Sequence, residues 1–292
     1  MNQENVLNSS RSLLSSDLVL TRMNIDYIID YMKYDRPDYN SQSIRYFAPT
    51  LAQSLGAPTG GFKLNPDALF AESFGDVEKA IIFHPTAMGV SFINSFPEVF
   101  EPLREKVLER IDVLTQYPTE KAVCLTSAYT GATMEEHGVR DKTYKVGCFS
   151  LFDALASVGK KCALVTPKKS GYDFIFSERP LDIFTVEQDI EAINKALNLI
   201  KGNEYDYIAV VNSDYEDMMR VSGPLSKESK KVAEVEVKAF CLLCDAASVY
   251  WKEPCLVGFC PDRGAHKTLF GGKSGSANAS DMNVTHFFGR IR

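Results

Sequence analysis

The sequence predicts an α/β fold, a mostly parallel sheet with helices on both faces. Two observations carry the prediction. From residue 79 onward, short apolar runs of strand length alternate with longer amphipathic segments, the pattern of a parallel sheet covered by crossover helices. One such run, residues 256–259 (LVGF), reads as a buried strand that stops at Cys260-Pro261 and opens into a polar loop holding Asp262, Arg263 and His266. Ligands of open α/β sheets sit beyond the carboxyl ends of the strands, so this loop presents its acid at the mouth of a site.

The chain divides near residue 75. Residues 1–75 read as an irregular helical extension, with a helical pattern at 25–32 (IDYIIDYM) followed by Pro37, Pro49, Pro58 and the turn cluster Thr59-Gly60-Gly61. This extension either covers an edge of the main domain or contacts a second subunit in a homo-oligomer. Residues 76–292 read as the α/β domain. Its first core strand is 79–84 (KAIIFH), closed by PTAMG. Residues 97–115 follow as an amphipathic helix, with Val99, Leu103, Val107, Ile111 and Leu114 at helical spacing. A helix at 150–159 leads to a strand at 161–166 and another at 181–185. A helix at 187–201 puts Ile190, Ile193, Leu197 and Ile200 on one face; a strand at 207–212 and a long helix at 226–247 come next.

Composition bounds the function. Hydrophobic residues make up 45% and charged residues 24%, ordinary for a globular domain. A net charge of -6 argues against a nucleic-acid or membrane-surface partner. No apolar run approaches the roughly 20 residues that span a bilayer. The first residues show no basic stretch ahead of an apolar one, so no signal peptide is expected. The seven cysteines lie mostly in apolar runs, which suits reduced thiols in a cytoplasm; Cys241 and Cys244 form a CxxC inside a helical pattern and read as core packing.

Three segments together resemble the alkaline phosphatase superfamily, in its nucleotide pyrophosphatase/phosphodiesterase-like branch. Where that family ends a strand in Asp-His-Gly and follows with His-Gly, this chain has Asp262-Arg263-Gly264 and then Ser274-Gly275. Thr130-Gly131 with His137-Gly138 matches the family's nucleophile segment, and counting back nine residues places Lys121 at the nucleophile position, expected at a helix N-terminus. His137 reads as structural. Anchored on Gly223-Pro224, the family's Asp and His positions fall on Glu216 and Arg220, and the Asp that ends the first strand becomes Thr86.

The resemblance therefore implies an active centre at Thr86, Lys121, Glu216, Arg220, Asp262, Arg263 and Ser274, with most metal-ligand positions substituted. Arginine has no lone pair to offer a metal, so the family's two-metal centre is not expected. The expected function is a catalytically degenerate phosphoesterase relative, without cofactor, that binds a phosphate-like anion through Lys121, Arg220 and Arg263. Internal salt bridges, Arg220 with Glu216 and Arg263 with Asp262, are the competing reading. A second alternative is an active hydrolase of phosphate or sulfate esters with a rearranged site, either metal-free or holding one divalent metal such as zinc through Asp262 and His266, with His286 downstream. A third is a structural subunit. The segment GGKSG at 271–275 lacks the spacing of a phosphate loop and reads as a flexible loop.

Overall fold

The computed structural model describes residues 37–38, 41–106 and 108–291. Residues Pro37–Arg292 form one compact unit. The helix expected at 25–32 lies outside the described residues.

The elements run β1 (Gln42–Ser43), α1 (Phe47–Ser54), α2 (Ala68–Phe74), β2 (Lys79–Pro85), α3 (Val90–Ser95), α4 (Glu101–Glu105) and β3 (Glu109–Leu114). Then come α5 (Lys121–Thr130), α6 (Met134–His137), α7 (Leu151–Ser157), β4 (Cys162–Pro167), α8 (Tyr172–Ile175), β5 (Asp182–Val186), α9 (Asp189–Gly202) and β6 (Tyr207–Asn212). The last are α10 (Asp214–Ser222), α11 (Lys227–Tyr250), β7 (Cys255–Phe259), β8 (His266–Thr268), β9 (Gly271–Lys273), α12 (Ala279–Met282) and β10 (Asn283–Ile291).

Eight strands form one sheet in the order β1-β3-β10-β7-β2-β6-β4-β5. β10 runs antiparallel to both its neighbours, β3 and β7, and every other pairing is parallel. β2 lies at the centre and is buried along its whole length. Its side chains alternate between two cores: Ala80 and Ile82 face one, Ile81 and Phe83 the other. Helices α1, α2, α5 and α7 cover the first face; α9, α10 and α11 cover the second.

Local chemistry places the helix ends. Asp67 accepts hydrogen bonds from the N–H groups of Leu69 and Phe70 at the start of α2, and Ser226 does the same for Ser229 at the start of α11. The dipeptides Thr130-Gly131 and His137-Gly138 are both helix exits. Each glycine takes a left-handed conformation, φ 66° and 75°, which ends α5 and α6.

Residues 41–75 are woven into the main core. Phe47, Phe70 and Phe74 pack on Phe288 of β10, with ring centroids 6.4, 5.9 and 4.6 Å away. Gln42–Ser43 add a short parallel strand at the sheet edge against β3.

Three expectations are corrected. Residues 97–115 are not one helix, because α4 stops at Glu105 and 109–114 form β3. There Ile111 and Val113 point inward while Arg110 and Asp112 point out, a period of two that Val107, Ile111 and Leu114 had masked as a period near four. Pairing with β10 decides the matter. The 271–275 loop is also ordered: Gly271–Lys273 pair with His266–Thr268 as a hairpin. In α9, Ile190 is exposed rather than part of the buried face. Among the described residues no helix is long and apolar enough to cross a membrane.

Candidate functional site

The site forms at the carboxyl ends of β2, β6 and β7, where an open sheet of this kind exposes the loops that follow its strands. β2 delivers Thr86, β7 delivers Asp262 and Arg263, and the first turns of α10, directly after β6, deliver Glu216 and Arg220. Lys121 is the first residue of α5, the helix N-terminus expected for it.

Glu216 is the hub. Its Oε2 accepts from Thr86 Oγ1 at 2.9 Å and pairs with Lys121 Nζ at 2.6 Å. Its Oε1 accepts from Arg220 Nη2 and Arg263 Nη2, both at 2.6 Å. The other end of the Arg263 guanidinium reaches Asp262 Oδ2 at 2.5 Å. Asp262 Oδ1 accepts the Ala87 N–H at 3.1 Å, and its own carbonyl accepts from Thr115 Oγ1 at 2.7 Å. Six of the seven positions thus join in one hydrogen-bonded cluster. Ser274 stands apart: its Oγ donates to Gly264 O at 2.7 Å and braces the loop that carries Arg263.

Burial sorts the cluster into an inner and an outer layer. Glu216 and Arg263 are 2% and 1% exposed, while the Lys121 and Arg220 side chains are 20% and 55% exposed. Burial alone would push the Glu216 carboxyl up, but the charges of Arg263 and Lys121 outweigh it and hold the group well below the usual carboxylate range. Asp262 goes the other way. Full burial raises it, and the charges of Arg263 and Lys121 do not outweigh that burial because Glu216 repels it.

Two backbone features fix the geometry. Ala87 sits at φ 65°, a strained conformation for a residue with a Cβ, and from there its N–H meets Asp262. Gly264 lies so close to Gly89 that a Cβ there would stand 2.8 Å from the Gly89 Cα and 1.9 Å from Ser280 O. Only glycine lets the loops after β2 and β7 approach this far.

The cluster opens into a cleft of about 290 Å³, lined by six cations and three acids. Besides Lys121, Arg220 and Arg263, the cations are Arg140, Lys142 and Lys169. The sequence reading missed these three and Ser213, whose Oγ accepts from Lys121 Nζ at 3.2 Å. Their signals were present. Ser213 follows strand β6 directly, and Arg140 and Lys142 belong to a basic run, RDKTYK. Larger clefts of about 530 and 640 Å³ lie around Pro254 at the amino ends of the strands and hold no comparable cationic cluster.

The residues the resemblance assigns to metal do not fit a pair of divalent ions. Both Glu216 oxygens and Asp262 Oδ2 already face ammonium or guanidinium groups, and those cations repel a second positive charge. The one-metal set is not brought together either. His266 Nδ1 pairs with Asp281 at 2.9 Å, not with Asp262, and His286 Nε2 donates to Pro261 O at 2.9 Å. Among the described residues no group of three or more His, Cys, Asp or Glu is arranged to hold a metal. His137 is structural: its Nδ1 accepts from the Val139 N–H at 3.0 Å and its Nε2 donates to Ser127 Oγ at 3.0 Å.

No family model matches the chain, and no curated protein matches it. Solved structures do. Phosphonoacetate hydrolase from Sinorhizobium meliloti 1021, in complex with phosphonoformate, aligns at TM-score 0.50 and 13% identity over 64% of this chain. The C-terminal periplasmic domain of phosphoethanolamine transferase EptC from Campylobacter jejuni aligns at 0.52 and 9% over 73% of this chain and 79% of its own. Murine ectonucleotide pyrophosphatase/phosphodiesterase 5 aligns at 0.50 and 10% over 65%. The chain spans little more than half of the hydrolase and of the murine protein, 56% and 57%.

Proposed function

The chain has the fold of the alkaline phosphatase superfamily, and from that premise we propose that it is a catalytically degenerate relative of the metal-dependent phosphoesterases that binds a phosphate-like anion. The single observation that carries this reading is the state of Glu216. Lys121, Arg220 and Arg263 all converge on it, which supports a reading in which fixed cations occupy the positions that the motif resemblance assigns to the family's metals and nucleophile. Three cations against Glu216 and Asp262 leave a net charge of about +1, as two divalent ions against three carboxylates would.

Lys121 and Arg220 are the groups that meet the ligand, because both are partly open to the cleft. Arg263 stands behind them, and its Nε has no hydrogen-bond partner among the described residues. Arg140 and Lys142 at the rim make no ion pair with any described residue, so their charge is available to an incoming anion. Glu120, the residue before α5, supplies no side-chain cap, and Glu120, Lys121 and Ala122 at the start of that helix line the same cleft. Seven free cysteines, several of them buried, support a reducing compartment such as the cytoplasm.

The test pairs two measurements on the purified chain. Elemental analysis, with zinc and manganese offered during purification, is expected to find no stoichiometric metal. Titration with inorganic phosphate or sulfate is expected to raise the melting temperature through mass action, and Lys121→Ala to remove most of that rise. Zinc-stimulated turnover of aryl phosphates or sulfates would instead favour a working hydrolase. No response to either anion would leave the cations as internal salt bridges.

A further inference from the structure

Helix α11 carries a second organised surface, away from the cleft. Val235, Leu242 and Val249 lie seven residues apart on its outer side and are 61%, 56% and 60% exposed. A straight helix drifts only about 20° per seven residues, so the three make one apolar ridge about 21 Å long. The opposite face packs on the sheet through Val237, Phe240, Leu243 and Ala247. A charged row runs beside the ridge at the same spacing: Lys231, Lys238 and Asp245, all exposed.

We propose that α11 is the contact of a symmetric dimer, packed antiparallel on α11 of a second copy of this chain about a two-fold axis at Leu242. With the axis there, Leu242 meets its own counterpart and Val235 meets Val249 of the second copy. A two-fold axis perpendicular to the helix pair keeps each row on its own side, so the charged row also faces itself. Lys238 then lies level with Asp245 of the second copy, to within one residue rise of about 1.5 Å, and symmetry makes that pair twice.

The charges choose both the partner and the direction. A parallel two-fold pairing would instead carry the charged row of the second copy to the far side of the ridge, where the two rows do not meet, so only the antiparallel arrangement makes the Lys238–Asp245 pairs. Within its own chain Asp245 already pairs with Lys106, so in the dimer it sits between two ammonium groups. This surface is separate from the anion cleft.

The test is the oligomeric state of the full chain, read by sedimentation velocity across a dilution series. The expected result is a two-chain mass that falls toward one on dilution. Leu242→Glu places two carboxylates face to face on the axis and is expected to weaken the dimer at least about tenfold. Lys238→Glu alone weakens it, and adding Asp245→Lys restores it, because the swapped charges complement again. That rescue separates a contact from a mere loss of fold, and melting curves on each variant check the fold itself. A single-chain mass at every concentration overturns the proposal. So does a dimer indifferent to Leu242→Glu and Lys238→Glu, which would place the interface elsewhere.

Discussion

Arg263 and Glu216 meet at 2.6 Å with both side chains almost wholly buried. An isolated ion in such a place costs several kcal/mol in lost hydration, which the pairing of the two offsets. Their pairing ties the loop after β7 to helix α10 and makes the centre of the cleft a built structure.

Removing Arg263 takes the ion-pair partner from the buried Asp262 and leaves Glu216 to Lys121 and Arg220. Arg263→Met is expected to cost about 3–5 kcal/mol in urea unfolding, with part of the loss recovered when Asp262→Asn is added. Arg220 is more than half exposed, so solvent screens its pair with Glu216, and Arg220→Ala is expected to cost no more than about 1 kcal/mol. Its effect is expected instead in phosphate affinity. Equal destabilisation by the two substitutions would contradict the layered picture.

His84 sets an acid limit on stability. Its Nδ1 donates to Cys260 O and its Nε2 accepts from Tyr129, both at 2.8 Å, which needs a neutral ring. Burial depresses its pKa from 6.5 to about 3, with the nearby His286 adding to the effect against the pull of the Cys260 carbonyl. The unfolded chain takes up a proton below pH 6.5 that the folded chain refuses until about pH 3. Stability is present above that window and falls as the pH drops through it, by about 1.4 kcal/mol per pH unit from this residue. His84→Gln is expected to make the acid limb shallower by one proton; identical slopes in the two proteins would refute the assignment.

Gly264 holds the cleft in register. Gly264→Ala drives a Cβ into the backbone at Ser280 and Gly89, which forces the loop outward at a cost of about 1–3 kcal/mol. Because that loop carries Asp262 and Arg263, phosphate affinity is expected to fall along with the melting temperature. A variant that melts lower but binds phosphate unchanged would separate the loop from the site.

Phe47 belongs to the main core although it lies far from the other core segments in sequence. It packs on Phe74, Phe288, Tyr129 and the ring of His84. Phe47→Ala is expected to cost about 3–5 kcal/mol, measured by chemical denaturation. A chain that keeps its stability without this ring would show that residues 41–75 only lie over the core.

Much of this molecule was legible because its signals are local. The apolar run at 79–84, the strand at 207–212 and the polar stop at Cys260-Pro261 announce strand ends, and the rule that sites follow strand ends points to Asp262, while the motif resemblance singles out Thr86 and Glu216. Residues 109–114 were misread because Val107, Ile111 and Leu114 fit a helix as well as a strand, and only the neighbouring strand β10 breaks the tie. His266 was offered to Asp262 on spacing, yet the chain turns it to Asp281.

By itself the sequence determined the α/β class and the order of most elements, since periodicity and turn chemistry act over a few residues; the positions that cluster were singled out by the motif resemblance. The tertiary structure alone decided what those positions are to one another. A hydrogen bond between Thr86 and Glu216, or an ion pair between Glu216 and Arg263, joins residues 130 and 47 apart in the chain. Such contacts exist only where the sheet brings strand ends together and burial makes each charge require its partner.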